Sequence, residues 1–236
     1  MTTTLQAILF DKDGTLFDFS GTWDVWGARL IDELSGGDAT LAQAIARATR
    51  FNLEARSFRP DSPVIAGTNR EAAELFASAL PDTSVDALDA LLAQRATEAP
   101  IVPSVPLRPL LTELRAHNLR LGVMTNDSEI GALAHLQAAD VIELFDFVAG
   151  FDSGHGAKPS PAPLLAFANH VNVPPDRVAM VGDSIHDLVA GRAAGMLCVG
   201  VLTGPATQAD LEGYADVILP DIGHLPTWLA GGQAVS

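Results

Sequence analysis

Two aspartates separated by one residue follow an apolar segment near the start of the chain. Residues 5–10 read Leu-Gln-Ala-Ile-Leu-Phe, and Asp11, Asp13 and Gly14 come directly after them. The apolar run predicts a buried strand, so both carboxylates are expected at its carboxyl end, where open α/β sheets bind ligands. Gly14 permits a sharp turn of the backbone over that site. The pattern indicates nucleophilic catalysis by an aspartate, assisted by a metal ion.

Three further segments place polar side chains where a predicted strand or loop ends. In chain order these side chains are Thr125 and Asn126 after the strand 119–125, Lys158 in a loop that continues with Pro159, and Asp183 and Asp187 after the strand 177–182. Asp187 lies four residues after Asp183 and therefore on the same face of a helix that begins there.

Taken together, the four segments resemble the haloacid dehalogenase superfamily of phosphohydrolases. The matching motifs are Asp-x-Asp-Gly-Thr, strand-Thr-Asn, Lys-Pro and Gly-Asp-x-x-x-Asp, in that order along the chain. The resemblance covers essentially the whole chain. It implies a Rossmann-like α/β core and a phosphatase that acts through an aspartyl-phosphate.

The resemblance also implies a role for each motif residue. Asp11 is the expected nucleophile, and Asp13 the expected general acid and base that protonates the leaving alcohol and later deprotonates water. Asp11, Asp183 and the backbone carbonyl of Asp13 are the expected ligands of Mg²⁺, which prefers oxygen ligands and retains several waters. Asp187 is expected just outside them, holding a metal-bound water or orienting Lys158.

The remaining motif residues are expected to bind the phosphoryl group. Thr125 and the Asn126 amide would bind a phosphoryl oxygen, and Lys158 would neutralise charge shared by the nucleophile and the phosphate. These roles fit phosphoryl transfer, in which positioning and electrostatics supply most of the rate. The predicted substrate is a small phosphomonoester, either phosphoglycolate-like or a sugar phosphate.

Four other functions compete with the phosphatase. A haloacid dehalogenase is disfavoured by Asp13, because a halide needs no protonation. A phosphonate hydrolase would need a lysine in the segment 18–100, which contains none. A phosphomutase of the β-phosphoglucomutase type stays open, and its product would distinguish it. A non-catalytic binding module is disfavoured because Asp11, Asp13, Lys158 and Asp183 are all present.

The elements that position these residues predict an α/β fold with a doubly wound, mostly parallel sheet. Predicted strands lie at 5–10, 119–125, 145–149, 177–182, 197–202 and 216–219, and predicted helices at 107–117, 128–139, 161–171, 185–194 and 222–230. An all-helical insertion at 18–100 predicts a cap domain on a core formed by 1–17 and 101–236. Within it, helix is expected over 22–58 with a break at 36–38, then a loop at 59–68 and helices at 69–80 and 84–96.

The insertion resembles the cap of phosphoglycolate phosphatases and their relatives. One departure is Asp127, where several relatives carry a lysine after Thr-Asn. Side chains expected at the mouth of the site are Phe17, Phe19, Thr22 and Trp23. Cap arginines that are candidates for a substrate carboxylate or second phosphate are Arg47, Arg50, Arg56, Arg59 and Arg70.

Composition and charge restrict the classes of partner and the cellular location that the sequence predicts. The 236 residues are 48% hydrophobic, which is ample for a sizeable core, and the formal net charge is −15. That charge argues against nucleic acid and against anionic membranes as partners. No signal peptide or spanning segment is evident, so the cytoplasm is the expected location. The single cysteine, Cys198, excludes a disulfide within the chain. Oligomeric state stays open between monomer and homodimer.

Overall fold

A six-stranded parallel sheet forms the centre of the computed structural model, which describes residues 5–231. Its strands are β1 (Ala7–Phe10), β4 (Arg120–Met124), β5 (Phe147–Ala149), β6 (Val178–Gly182), β7 (Leu197–Val201) and β8 (Val217–Leu219). The order across the sheet is β5-β4-β1-β6-β7-β8, which confirms the predicted parallel α/β architecture. The order of connection reverses at β1, so β1 lies at the position where open sheets bind ligands.

The central strands are apolar because both of their faces are buried. All four residues of β1 and all five of β6 are buried, which is typical of strands covered by helices on both sides. Ile8 and Phe10 face one hydrophobic cluster, whereas Ala7 and Leu9 face another on the opposite side of the sheet. The sheet is therefore doubly wound, as predicted.

Helices cover both faces of this sheet. Those on the core are α5 (Leu107–Ala116), α6 (Glu129–Ala138), α7 (Ala162–Val171), α8 (Ile185–Ala194), α9 (Gln208–Leu211) and α10 (Leu225–Ala230). α6 and α8 begin at the serine caps Ser128 and Ser184, whose hydroxyls accept hydrogen bonds from backbone N–H groups of the first turn. These two caps fix where the loops after β4 and β6 end.

The insertion after β1 has a hydrophobic cluster of its own. Its helices are α1 (Val25–Ser35), α2 (Ala39–Thr49), α3 (Asn69–Ala79) and α4 (Val85–Thr97), preceded by a π-helical turn at Ser20–Asp24. Trp26, Ile31, Phe76 and Leu88 are buried together in it. The helices 69–80 and 84–96 are close to their predicted bounds. The division into domains at 17/18 and 100/101 stays a prediction.

Within the stretch 22–58, predicted to be helical with a break at 36–38, α2 ends at Thr49, so the expectation of helix over 51–58 is wrong. Residues 51–58 form a short antiparallel hairpin of β2 (Phe51–Asn52) and β3 (Ser57–Phe58). Arg50 ends α2 with a left-handed backbone (φ 53°), and the Asn52 side chain accepts from the N–H groups of Glu54 and Ala55. An asparagine side chain bonded to the backbone two and three residues later stabilises a turn rather than a helix.

Within residues 5–231, none of the helices has the length and apolar character that crossing a bilayer requires.

Candidate active site

The end of β1 places Asp11 in the interior of the molecule. Its backbone N–H donates to the carbonyl oxygen of Val181 in β6 at 2.8 Å, so the ladder between β1 and β6 continues up to the carboxylate. Asp11 is 8% exposed. The side chain therefore projects from a fixed backbone at the carboxyl edge of the sheet, as the sequence predicts.

Lys158 lies between two carboxylates. Its Nζ is 2.6 Å from Asp11 Oδ1 and 2.6 Å from Asp187 Oδ1, and the lysine is buried. The second oxygen of Asp187 accepts from the backbone N–H and the hydroxyl of Ser184, at 3.0 and 2.7 Å. Asp187 thus both caps α8 and orients Lys158, while the two negative charges raise the pKa of the lysine against the effect of its burial.

Asp183 lies against two glycines and accepts one side-chain hydrogen bond. Thr15 Oγ1 donates to Asp183 Oδ1 at 3.2 Å. A Cβ atom on Gly14, whose φ is +81°, would lie 2.4 Å from Asp183 Oδ2, and a Cβ on Gly204 would lie 1.7 Å from the same oxygen. Any side chain at Gly204 would displace this carboxylate. The sequence gives no signal for Gly204, which lies twenty-one residues after Asp183 and outside every motif.

Asp11, Asp183 and Asp187 can present one oxygen each within 4.8 Å of one another. Burial raises the pKa of Asp11 to about 7, with Lys158 opposing and Asp187 and Asp13 adding to the rise. Burial and the charges of Asp11 and Asp187 likewise raise the pKa of Asp183 well above its usual value. Three buried carboxylates share one ammonium group, so a divalent cation with oxygen ligands fits the charge and the donor set.

Thr125 and Asn126 follow β4 and lie beside this cluster. Thr125 is 2% exposed, and its Oγ1 accepts from the backbone N–H of Asp127 at 3.1 Å. The Asn126 side chain accepts from Lys158 N at 2.9 Å and donates to the carbonyl oxygens of Lys158 and Ala66 at 2.9 and 3.0 Å. The side-chain amide therefore fixes the Lys158 loop and links it to the cap, so an N–H to a phosphoryl oxygen would come from the Asn126 backbone.

Asp13 is paired with a residue that the sequence reasoning missed. Lys12 is fully buried, and its Nζ lies 2.7–2.8 Å from both oxygens of Asp13, 3.1 Å from Asp127 and 2.9 Å from His135 Nδ1. It also lies 5.3 Å from the centre of the Trp23 ring. Burial opposes the charge of Lys12, but the two carboxylates raise its pKa. Its place between the two motif aspartates was the signal available in the sequence.

Lys12 and Lys158 are the only lysines of the chain. Both are buried against carboxylates of the site. Asp127 is the position at which this chain departs from the relatives that carry a lysine after Thr-Asn. It is consequently paired with Lys12, which it shares with Asp13.

A cavity of about 80 Å³ separates these core residues from the cap. The motif residues that line it are Asp11, Asp13, Thr125, Asn126, Lys158, Asp183 and Asp187. On the cap side the predicted Phe19 and Trp23 line it, with Trp26 and residues 64–69 and 72. The site therefore brings together every motif residue that the sequence predicted. Residues 64–68, from the predicted loop 59–68, form part of its wall as well.

Two of the side chains predicted at the mouth of the site do not line the cavity. Phe17 and Thr22 are buried outside its lining. His186, at the start of α8, lines the cavity without having been a candidate.

Among the described residues, none of the five candidate cap arginines lines this cavity. Arg50, Arg56 and Arg70 pair with Asp61, Asp32 and Asp86 at the surface. Arg47 and Arg59 line a separate groove beside the β2–β3 hairpin. The structure therefore gives these arginines no contact with the site, and the expectation that one or two would meet a substrate anion is not supported.

Comparison with known proteins gives one family and several relatives. The family model of haloacid dehalogenase-like hydrolases matches residues 5–195. A phosphoglycolate phosphatase of Rhodospirillum rubrum is 29% identical over 236 residues, which covers 97% of this chain and 92% of that protein.

Solved structures show the same fold. A HAD phosphatase from Thermococcus onnurineus superposes with a TM-score of 0.67 at 22% identity, over 96% of this chain and 99% of that one. A β-phosphoglucomutase from Clostridium difficile superposes with a TM-score of 0.66 at 16% identity, over 97% of each chain. At these identities the structures support the fold alone.

Proposed function

The chain belongs to the haloacid dehalogenase-like hydrolase family, and we propose that it is a Mg²⁺-dependent phosphatase that hydrolyses a small phosphomonoester through an aspartyl-phosphate on Asp11. The observation that carries the proposal is the placement of Asp11 at the end of β1, 2.6 Å from the buried ammonium of Lys158 and within one cavity with Asp13 and Thr125. Phosphoglycolate phosphatases among the relatives support the reaction class.

In the first step an oxygen of Asp11 attacks phosphorus, and the bond from phosphorus to the alcohol oxygen breaks. Lys158 holds the Asp11 carboxylate and offsets negative charge on the phosphoryl oxygens, to which the Thr125 hydroxyl and the Asn126 backbone N–H donate. Asp13 supplies the proton to the departing alcohol oxygen. In the second step Asp13 takes a proton from water, whose oxygen attacks phosphorus and releases Asp11 and inorganic phosphate.

Residues that would hold the metal are Asp11, Asp183 and the backbone carbonyl of Asp13, with Asp187 beside them. When bound, Mg²⁺ supplies positive charge to the nucleophile and the phosphoryl oxygens. The raised pKa of Asp11, to about 7, belongs to the metal-free protein. A bound cation keeps this carboxylate ionised, which the attack requires.

A phosphomutase shares the aspartyl-phosphate and the fold, so it is the second candidate. Its sugar substrate would need several hydrogen-bonding groups from the cap. Among the described residues, the cap side offers only Thr68 and Asn69 as polar side chains, beside the apolar Trp23, Val64 and Ile65, and this favours the phosphatase.

The test measures phosphate release from a panel of phosphomonoesters, with Mg²⁺ and with EDTA. We expect Mg²⁺-dependent release by the wild-type protein and none by Asp11→Asn at equal folded concentration. Isomerised sugar phosphate without free phosphate would assign the mutase, and full activity of Asp11→Asn would exclude the mechanism. A cytoplasmic location and a small phosphorylated metabolite as the only partner class stay predictions.

A further inference from the structure

We infer that the alcohol released by this phosphatase is small and uncharged, with an apolar carbon surface, rather than a carboxylate-bearing alcohol such as glycolate. The inference rests on the proposed phosphatase activity and names the class of leaving group. It is carried by the chemistry of the cavity wall opposite the phosphoryl site.

The cap side of the cavity presents apolar surface that its own domain does not cover. Trp23, Val64 and Ile65 are half-buried, and they pack on the cap cluster while lining the cavity. Trp26 and Ala72 line the cavity as well and are more deeply buried. Half-buried apolar side chains that face a concave site are the usual contact surface for the carbon skeleton of a ligand.

A carboxylate and a helix end flank this wall. Asp127 lines the cavity on the core side, and Lys12 already compensates it. On the cap side, the first turn of α3 borders the cavity at Thr68 and Asn69. A free helix N-terminus there would attract an anion.

The Glu71 carboxylate already occupies that helix end. Its Oε2 accepts from the backbone N–H of Thr68 at 2.7 Å and from the Thr68 hydroxyl at 3.0 Å. The amide nitrogen of Asn69 donates to Asp89 and is likewise committed. An anionic leaving group would therefore meet the Asp127 carboxylate on the core side and, on the cap side, a helix end whose first N–H is already bonded to Glu71.

Cations that could offset such an anion are committed elsewhere in the described residues. Lys158 serves Asp11 and Asp187, Lys12 serves Asp13 and Asp127, and the cap arginines lie outside the cavity. The one other lining residue that can become positive is His186, at the start of α8. Because a desolvated unpaired charge costs far more than a desolvated methyl group, a neutral leaving group is favoured.

The size of the cavity restricts the alcohol as well. Its 80 Å³ corresponds to about six water molecules at 10–15 Å³ each. A cavity of this size accommodates a phosphoryl group together with a small alcohol beside Trp23 and Ile65.

The experiment compares kcat/KM for two nearly isosteric esters, 2-phosphoglycolate and 2-phosphoglycolamide, with n-propyl phosphate as an apolar reference. All assays contain Mg²⁺. We expect the amide and the propyl ester to exceed the glycolate by about tenfold or more, the factor that ~1.4 kcal/mol of differential binding gives. A glycolate preference in the wild-type protein would overturn the inference while leaving the phosphatase intact.

Substitutions at two positions test whether the cavity wall causes this preference. Ile65→Arg introduces a cation into the apolar wall and should raise the glycolate-to-amide ratio of kcat/KM at least about fivefold, whereas Ile65→Met should leave it unchanged. His186→Gln should not change the ratio. A ratio that falls in His186→Gln would show that the imidazole binds an anionic leaving group and would contradict the inference. Absence of phosphate release from all three esters would instead count against the proposed function.

Discussion

The ammonium group of Lys12 lies 2.8 Å from Oδ1 and 2.7 Å from Oδ2 of Asp13, so a fully buried cation holds the proposed general acid and base. The same nitrogen donates to His135 Nδ1 at 2.9 Å. His135 therefore carries its proton on Nε2 and donates it to the carbonyl oxygen of Ala96 in the cap at 2.8 Å. A chain of hydrogen bonds thus joins Asp13 to the cap–core boundary.

Removal of the Lys12 charge should destabilise the fold. Lys12→Met leaves Asp13 and Asp127 without their counter-ion, and breaking a buried pair in this way typically costs about 3–5 kcal/mol. We expect a loss of that size in the free energy of unfolding, measured by urea denaturation. In the matched double variant Lys12→Met/Asp127→Asn one of the orphaned charges is also removed, so part of the stability should return. A single variant as stable as the wild type would contradict the proposed pairing.

The pKa of Asp11 predicts how the metal-free protein responds to pH. Burial raises this pKa from 3.8 to about 7, so between these values the native state binds more protons than the unfolded state. Stability from this group is then full below pH 4 and is lost as pH rises to 7. Asp11→Asn cannot titrate there, so in EDTA its stability relative to the wild type should increase by about 2–3 kcal/mol from pH 5 to pH 7, at ~1.36 kcal/mol per pH unit.

Urea unfolding of both proteins at several pH values measures this difference. Saturating Mg²⁺ should abolish the loss of wild-type stability between pH 5 and pH 7, because a bound cation stabilises the ionised native state. A constant difference across the range would show that Asp11 titrates normally in the folded protein.

Gly204 contacts the site although no sequence motif includes it, and it gives a third prediction. Its absent Cβ would lie 1.7 Å from Asp183 Oδ2, so Gly204→Ala must displace that carboxylate. We expect the affinity for Mg²⁺ to fall about 10–100-fold, the usual effect of disturbing the group that orients a metal ligand. Gly213→Ala is the control, since a Cβ there meets nothing within 4 Å. Calorimetric titration with Mg²⁺ measures both, and equal affinities would exclude the steric argument.

The core of the fold could be predicted because three of the four catalytic motifs end an apolar strand. β1, β4 and β6 are buried on both faces, so their sequences are continuous apolar runs whose ends are visible as Asp11, Thr125 and Asp183. Parallel neighbours in one sheet bring these ends to a common edge. The positions of these three residues therefore follow from the strands, whereas Lys158 reaches Asp11 from a loop.

Other features depend on contacts that the local sequence does not encode. The partners of Lys12 are 115 and 123 residues away, at Asp127 and His135, and Gly204 meets Asp183 only through the crossover after β7. The β2–β3 hairpin was missed because its strands have two residues each, too short for a period of two to emerge. The apolar wall at Val64 and Ile65 comes from a loop whose placement depends on cap packing.

The central claim is that Asp11 is phosphorylated during turnover, and chemical trapping tests it most directly. The wild-type protein is mixed with Mg²⁺ and p-nitrophenyl phosphate, quenched in acid and reduced with borohydride, which converts an aspartyl-phosphate to homoserine. Peptide mass spectrometry then locates the reduced residue. We predict homoserine at position 11, none at position 13, and none in the absence of phosphate ester. Phosphate release by a protein in which Asp11 is never reduced would contradict the mechanism.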